Sequence, residues 1–321
     1  MVDVSIIMPC FNSGRYLTPA VESVLHQTFT NWELVIVNDG STDNSLEIAL
    51  SFQQSDKRIK AVSKENGGYV SARLYGLKFI SASRFLLFFD SDDILLPGML
   101  ATLHTRMLAE PVLGAVYCNH TLIDEKGEVI GAPAYGTRMI PSLWGMKTIK
   151  EEEEYTHFSS IFCWATKMIE PMTLIRREAY EKSSGWDIRF GKGRGNIGDG
   201  VLLFSEIALD WKIGYVSTPL YLYRKHSGQS TADKEINKKA GFKVLSVWEQ
   251  RISEGYKYSR DIKAAIIVYR YRFFVFKKAR SLKHYLRYYP LKFFPLIIEL
   301  SYKYLVSLRL IFYRNTRIFD K

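Results

Sequence analysis

Phe85-Leu86-Leu87-Phe88-Phe89-Asp90-Ser91-Asp92-Asp93 joins the most apolar strand signal of the chain directly to an acidic turn. Five consecutive apolar residues ending at a turn fit a strand buried on both faces, as parallel sheets require. The segments upstream repeat that form. Val4 to Met8 is a short apolar run ending at Pro9, and Trp32 to Val37 is a second, closed by Asn38-Asp39-Gly40-Ser41-Thr42-Asp43. Ile59 to Val62 reads as a third strand. Between the strands, Tyr16 to Gln27 carries Leu17, Val21, Val24 and Leu25 at helical spacing, and Ser45 to Gln54 and Val70 to Ile80 also read as helices. This βαβα alternation predicts an α/β fold with a parallel sheet and helices on both faces.

Sheets of this kind bind ligands beyond the carboxyl ends of their strands. Three polar clusters occupy those positions here: Pro9 to Asn12, Asn38 to Asp43 and Asp90 to Asp93. They are therefore expected to converge on one crevice. Beyond about Gly114 the pattern is mixed. Ala115 to Ile123 and Val129 to Ile130 flank Asp124-Glu125-Lys126-Gly127, a hairpin signal. The stretch from Gly131 to Thr166 is poorly periodic, and its acidic run Glu151 to Glu154 reads as a solvated helix face.

A chain of 321 residues accommodates one large α/β domain with an appendage. Cys10, Cys118 and Cys163 are scattered and lack metal-ligand spacing, which suits a reducing compartment. No signal peptide is expected, since Met1-Val2-Asp3-Val4 runs straight into a buried strand. The net charge of +11 is uneven. Lys234 to Lys321 holds 21 Lys/Arg against 6 Asp/Glu, whereas the rest holds 23 against 27. A mildly acidic front domain thus carries a strongly basic tail, a pattern that suits an anionic membrane or a nucleic acid as partner.

Asp90-Ser91-Asp92-Asp93 has two readings. Acids packed this densely repel one another unless a cation neutralises them, and oxygen-rich sites suit Mg²⁺ or Mn²⁺ with substrate phosphates completing the shell. Short Asp/Ser clusters also form turns and helix caps. The neighbouring motifs bear on that choice. Ser5-Ile6-Ile7-Met8-Pro9-Cys10-Phe11-Asn12, Val35-Ile36-Val37-Asn38-Asp39-Gly40-Ser41-Thr42-Asp43, Asn66-Gly67-Gly68 with Ala72-Arg73, and Phe89-Asp90-Ser91-Asp92-Asp93 follow in that order. Together they resemble the family 2 glycosyltransferases, an inverting group with the GT-A nucleotide-sugar fold. A weaker resemblance runs on through Gly185-Trp186-Asp187, Gly198-Asp199 and Tyr223-Arg224-Lys225-His226, so that it covers roughly residues 2 to 230.

The resemblance implies roles for these residues. Pro9, Phe11 and Asn12 would line the nucleotide pocket, and Asp39 would accept a hydrogen bond from the base, the imide N–H of uracil being the suitable donor. Asn66 and Arg73 would lie near the ribose and diphosphate. Asp90 would face the ribose, Ser91 the nucleotide sugar, and Asp92 the divalent metal, with Asp93 as the alternative ligand. His226 would approach the diphosphate or the metal; its other reading is structural. An inverting transfer also needs a general base, and Asp199 stands in the matching place. Glycine precedes it at a position where the family usually has Glu. Asp199 could also serve as the N-cap of a helix over the apolar run 201–209. Trp186 and Asp187 would lie on the acceptor side, with a core tryptophan as the other reading of Trp186. Gly191-Lys192-Gly193-Arg194-Gly195 is permissive backbone suited to a mobile acceptor loop.

The tail interleaves aromatics with Lys/Arg, as in Tyr269-Arg270-Tyr271-Arg272-Phe273-Phe274. As a helix it would place Ile262, Ile266, Tyr269, Phe273 and Phe276 on one face. Leu291 to Phe312 is apolar but interrupted by Lys292, Glu299, Lys303 and Arg309, which favours an interfacial over a spanning segment. The alternative is packing on the catalytic domain or on a second subunit. Residues 1–230 are thus expected to form a GT-A catalytic domain, and 231–321 a helical, basic and aromatic appendage. The implied activity is a metal-dependent (Mn²⁺ or Mg²⁺) transfer from a UDP-sugar to a hydroxyl of a lipid-linked saccharide acceptor, at the cytoplasmic face of the plasma membrane, in surface polysaccharide synthesis. The alternatives are a transferase acting on polyprenyl phosphate and a nucleotide- or nucleic-acid-binding protein without catalysis. Nothing besides the basic–aromatic tail favours nucleic acid.

Overall fold

Side chains that alternate along a strand point to opposite faces, and in strand β1 (Val4–Cys10) both faces are buried. Ile7 joins Val35, Val37, Leu86 and Phe88 in one core layer. Ile6 and Met8 join Leu34, Ile36 and Leu87 in the other. A sheet covered on both sides follows, as the unbroken apolar runs require. The computed structural model describes residues 2–131, 138–142, 145–149, 155–156, 170–191, 198–229 and 234–255. The acidic run 151–154, the glycine loop from 192 to 197 and the tail from 256 onward lie outside them.

Strands β2 (Trp32–Asp39), β3 (Ile59–Lys64) and β4 (Phe85–Phe88) complete a parallel block with β1, in the order β3-β2-β1-β4. The intervening helices are α1 (Gly14–Leu25), α2 (Ser45–Ser55) and α3 (Tyr69–Gly76). Several boundaries differ from expectation by a few residues. β1 continues through Pro9 to Cys10, with Cys10 in register with Asn38. α3 ends at Gly76 instead of Ile80, because the N–H groups of Lys78 and Phe79 turn back to the carbonyls of Tyr75 and Gly76. A Cβ on Gly76 would stand 2.5 Å from Ile7 Cγ2, so the bare glycine lets α3 press onto the sheet.

The sheet is mixed beyond β4. β5 (Ile94–Leu95) and α4 (Met99–Ala109) lead into β6 (Leu113–Ile123), which forms the expected hairpin with β7 (Val129–Gly131). A separate antiparallel pair follows, β8 (Arg138–Ser142) with β9 (Gly145–Ile149), then β10 (Tyr155–Thr156). β11 (Thr173–Arg176) inserts antiparallel between β4 and β6. The short helix α5 (Arg177–Lys182) and then α6 (Asp199–Asp210) come next, and β12 (Lys212–Arg224) runs parallel to β6. Helix α7 (Lys234–Ser253) begins the basic tail. Its Val244, Val247 and Trp248 are buried in the same core layer as Leu202, Ile207 and Ala208 of α6. The start of the tail therefore packs on the front domain. Among the described residues no helix is long and apolar enough to cross a membrane.

Candidate active site

The register Cys10↔Asn38, Asp39↔Lys64 and Ile7↔Phe88 sets the carboxyl ends of the parallel strands on one edge. The loops after β1, β2 and β4 meet there, as the polar clusters predict. Side chains clamp the first two together. Asn12, at φ 50°, accepts the Thr42 N–H on Oδ1 (2.8 Å) and donates its own N–H to Ser41 Oγ (3.0 Å). Asp43 accepts the Gly14 N–H (2.9 Å) and caps Ser45 at the start of α2. Ser91 is buried and donates to Ser13 Oγ (2.8 Å), which ties the acidic loop to α1. Asn12 and Ser91 thus shape the pocket by bracing it. Pro9 is buried, while Phe11 is 51% exposed, an open ring at the crevice edge.

Asp39 faces inward. Its carboxylate accepts from Lys64 Nζ (2.7 Å), Gly67 N (3.0 Å) and Gly68 N (2.7 Å), and so fixes the loop before α3. Asn66 is exposed on that loop and donates to the Asp39 carbonyl (2.9 Å).

The acidic turn separates its carboxylates by environment. Ligand atoms of Asp90, Asp92 and Asp93 lie within 4.8 Å of one another. Asp93 is 1% exposed, and both its oxygens are taken, by Tyr221 O–H (2.6 Å) and Arg224 N–H (2.7 Å). Burial, then repulsion from Asp92 and Asp90, pushes its pKa well up. Asp92 instead keeps part of its carboxylate exposed and meets His226 Nε2 at 2.8 Å. Arg224 holds the turn in place: its Nε donates to the Asp92 carbonyl (2.7 Å) and its Nη1 to the Asp124 carbonyl (3.0 Å). Asp90 keeps a third of its side chain open to the crevice. Desolvation raises its pKa to about 6, against the lowering effect of Arg73.

Arg73 connects this turn to the start of α6. Its guanidinium is buried, donating from Nη2 to Asp90 Oδ1 (3.1 Å) and from Nη1 to Asp199 Oδ2 (3.3 Å). It also stacks over Trp186 at 4.6 Å. Asp199 occupies the first position of α6, and Gly198 is the cap at φ +116°. The N-cap alternative for Asp199 is thereby corrected. A φ in that range also explains why glycine stands at 198, since a glutamate would be strained there. Asp199 is 2% exposed, and burial raises its pKa, opposed by Arg73 and by the hydroxyl of Tyr69.

Two acceptor-side expectations change. Trp186 is 3% exposed, set edge-on to Phe88 and beneath Arg73, so the core reading holds and no face is left for a sugar. Asp187 is paired with Arg189 (2.6 Å) and near Arg251 of α7, and so braces the junction with the tail helix. Sequence reasoning missed Tyr69, Tyr221 and Arg224. Tyr69 had a signal, because it lies four residues before Arg73 and so shares its helix face.

Comparison with known proteins bears on the family and the fold. The sequence model of glycosyl transferase family 2 matches residues 5–183. The glycosyltransferase GlyG of Streptococcus pneumoniae serotype 4 is 29% identical over 254 residues, covering 78% of this chain and 80% of GlyG. WfgD of Escherichia coli, named as a UDP-Glc:alpha-D-GlcNAc-diphosphoundecaprenol beta-1,3-glucosyltransferase, is 38% identical over 127 residues, covering 39% of this chain and 49% of WfgD. The crystal structure of S. aureus TarS 1-349 in complex with UDP-GlcNAc superposes with a TM-score of 0.64 at 17% identity, covering 96% of this chain and 80% of that one. At that identity the likeness shows the fold.

Proposed function

The chain belongs to glycosyl transferase family 2, and on that premise we propose that it moves a sugar, with inversion, from a UDP-sugar to a hydroxyl of a lipid-linked saccharide in surface polysaccharide synthesis. The observation that carries this reading is the buried guanidinium of Arg73, shared between Asp90 and Asp199. It sets the acid nearest the donor pocket and the candidate base on either side of one cation.

In this reading the crevice holds the nucleotide against Phe11, and Asp39 would accept from the base beside the bonds it already takes from Lys64, Gly67 and Gly68. Asp92 and His226 would hold a divalent cation. The carboxylate oxygen suits Mn²⁺ or Mg²⁺, the imidazole nitrogen favours Mn²⁺ of the two, and a cluster of three acids calls for neutralisation. Of the two neighbouring acids Asp92 is the more exposed, and Asp93 braces the turn through Tyr221 and Arg224. The cation supplies electrostatic stabilisation of the charge that gathers on the leaving diphosphate. Asp199 takes the proton of the acceptor hydroxyl. The freed oxygen forms a bond to the anomeric carbon, the bond from that carbon to the phosphate oxygen breaks, and the electron pair leaves with UDP.

WfgD and TarS make UDP-glucose and UDP-N-acetylglucosamine the first donors to test. We place the protein peripherally on an anionic leaflet through its basic tail, which liposome sedimentation checks. The decisive assay is UDP release from these donors with Mn²⁺ or Mg²⁺. Release should stop with chelator and return with metal; full activity in chelator contradicts the reading.

A further inference from the structure

Tyr69 opens α3 and touches both ends of the glycine loop before α6. Its N–H donates to the carbonyl of Gly191 (3.1 Å), where the loop begins. Its hydroxyl donates to Asp199 Oδ1 at 2.6 Å, where the loop ends. The fit at the first contact is tight: Gly191 has φ +81°, and a Cβ there would meet Val70 at 2.6 Å. The hydroxyl and Arg73 each take one oxygen of the Asp199 carboxylate, which fixes its plane.

We propose that Tyr69 is a positioning residue that holds Asp199 ionised and aimed at the acceptor. This rests on Asp199 being the general base. The hydroxyl acts through a hydrogen bond that only the carboxylate form accepts fully, and such a bond favours the charged form. The other charged groups around Asp199 are Arg73 beside it, Asp90 across that guanidinium, and Lys243 of α7. None of them is altered by replacing Tyr69 with Phe, which also keeps the backbone bond to Gly191 and the ring beside Arg73.

Two measurements on the full chain test this. The first is the pH profile of UDP release from UDP-glucose or UDP-N-acetylglucosamine with Mn²⁺. In Tyr69→Phe the acid limb should move up by about one pH unit, with kcat about tenfold lower below that limb and recovering above it. KM for the donor should stay within about twofold of wild type, because the hydroxyl contacts the base and not the nucleotide pocket. The second is ¹³C-carboxyl NMR, with the Asp199 signal assigned by its loss in Asp199→Asn. Its midpoint should rise in Tyr69→Phe even without donor. An unchanged midpoint, or a loss of kcat that is uniform across pH, overturns the proposal. If the midpoint rises but Asp199→Asn retains full turnover, Tyr69 tunes Asp199 as proposed and it is the base assignment that fails.

Discussion

In the proposed reading the crevice has a donor end and an acceptor end, and the two are built differently. At the donor end the loops after β1 and β2 clamp each other through Asn12, Ser41, Thr42 and Asp43, each within a short motif. At the acceptor end one buried acid, Asp199, depends on Tyr69 and Arg73, which lie 130 and 126 residues earlier in the chain. The donor end is therefore braced by many partly redundant polar contacts, while the acceptor end rests on a few long-range ones. Single substitutions should accordingly cost more at the acceptor end and in the elements that support it.

The largest effect is expected from truncation. Ending the chain before α7 removes Val244, Val247 and Trp248 from the core layer that carries α6. Each large buried side chain lost exposes a cavity worth about 2–5 kcal/mol, so that protein should aggregate and fail to bind UDP. Ending it after residue 255 should leave a folded domain that binds UDP but sediments poorly with anionic liposomes. Equal UDP affinity in both truncations would remove α7 from the account.

Next in size is Arg73→Met. Asp199 would then be a buried acid without its cation, which costs about 3–5 kcal/mol, while Asp90, a third open to the crevice, adds little. Thermal unfolding should drop by several degrees, whereas Asn12→Ala at the donor end should change little. A smaller effect separates neighbouring acids. Asp93→Asn should lower stability, because an amide keeps only one of the two oxygens that accept from Tyr221 O–H and Arg224 N–H. Asp92→Asn should leave stability nearly intact.

How much of this was legible in the sequence follows the same divide. The order β1-α1-β2-α2-β3-α3-β4 could be read because each apolar run ends at its own turn cluster, and those clusters hold most of the donor-end residues. β11 could not, since four residues show no period and its neighbours in the sheet are far away in sequence. Trp186 and Asp187 were drawn to the acceptor side by their place in a motif. The partners of Trp186, Arg73 and Phe88, are set by tertiary packing, whereas Asp187 pairs locally with Arg189, two residues on. The departure at Gly198 became intelligible only with its backbone angle.

The smallest expected effect is a pH dependence. Burial raises the Asp199 pKa in the folded protein, so the folded state binds more protons than the unfolded one between the unfolded value near 3.9 and that raised value. The contribution of Asp199 to stability therefore falls as pH rises through this window. Asp199→Asn should melt slightly above wild type at pH 8, and the difference should vanish near pH 4. A variant that melts lower at pH 8 would mean that the ion pair with Arg73 outweighs desolvation.

The division of labour between the two ends is tested most directly by measuring UDP affinity, with and without Mn²⁺, and the rate of UDP release in Asp92→Asn and Asp199→Asn side by side. Asp92→Asn should lose the metal-dependent part of UDP affinity. Asp199→Asn should bind UDP as wild type does and turn over about 10²–10⁴-fold more slowly. Wild-type turnover in Asp199→Asn, or metal-dependent UDP binding that survives intact in Asp92→Asn, would contradict the account.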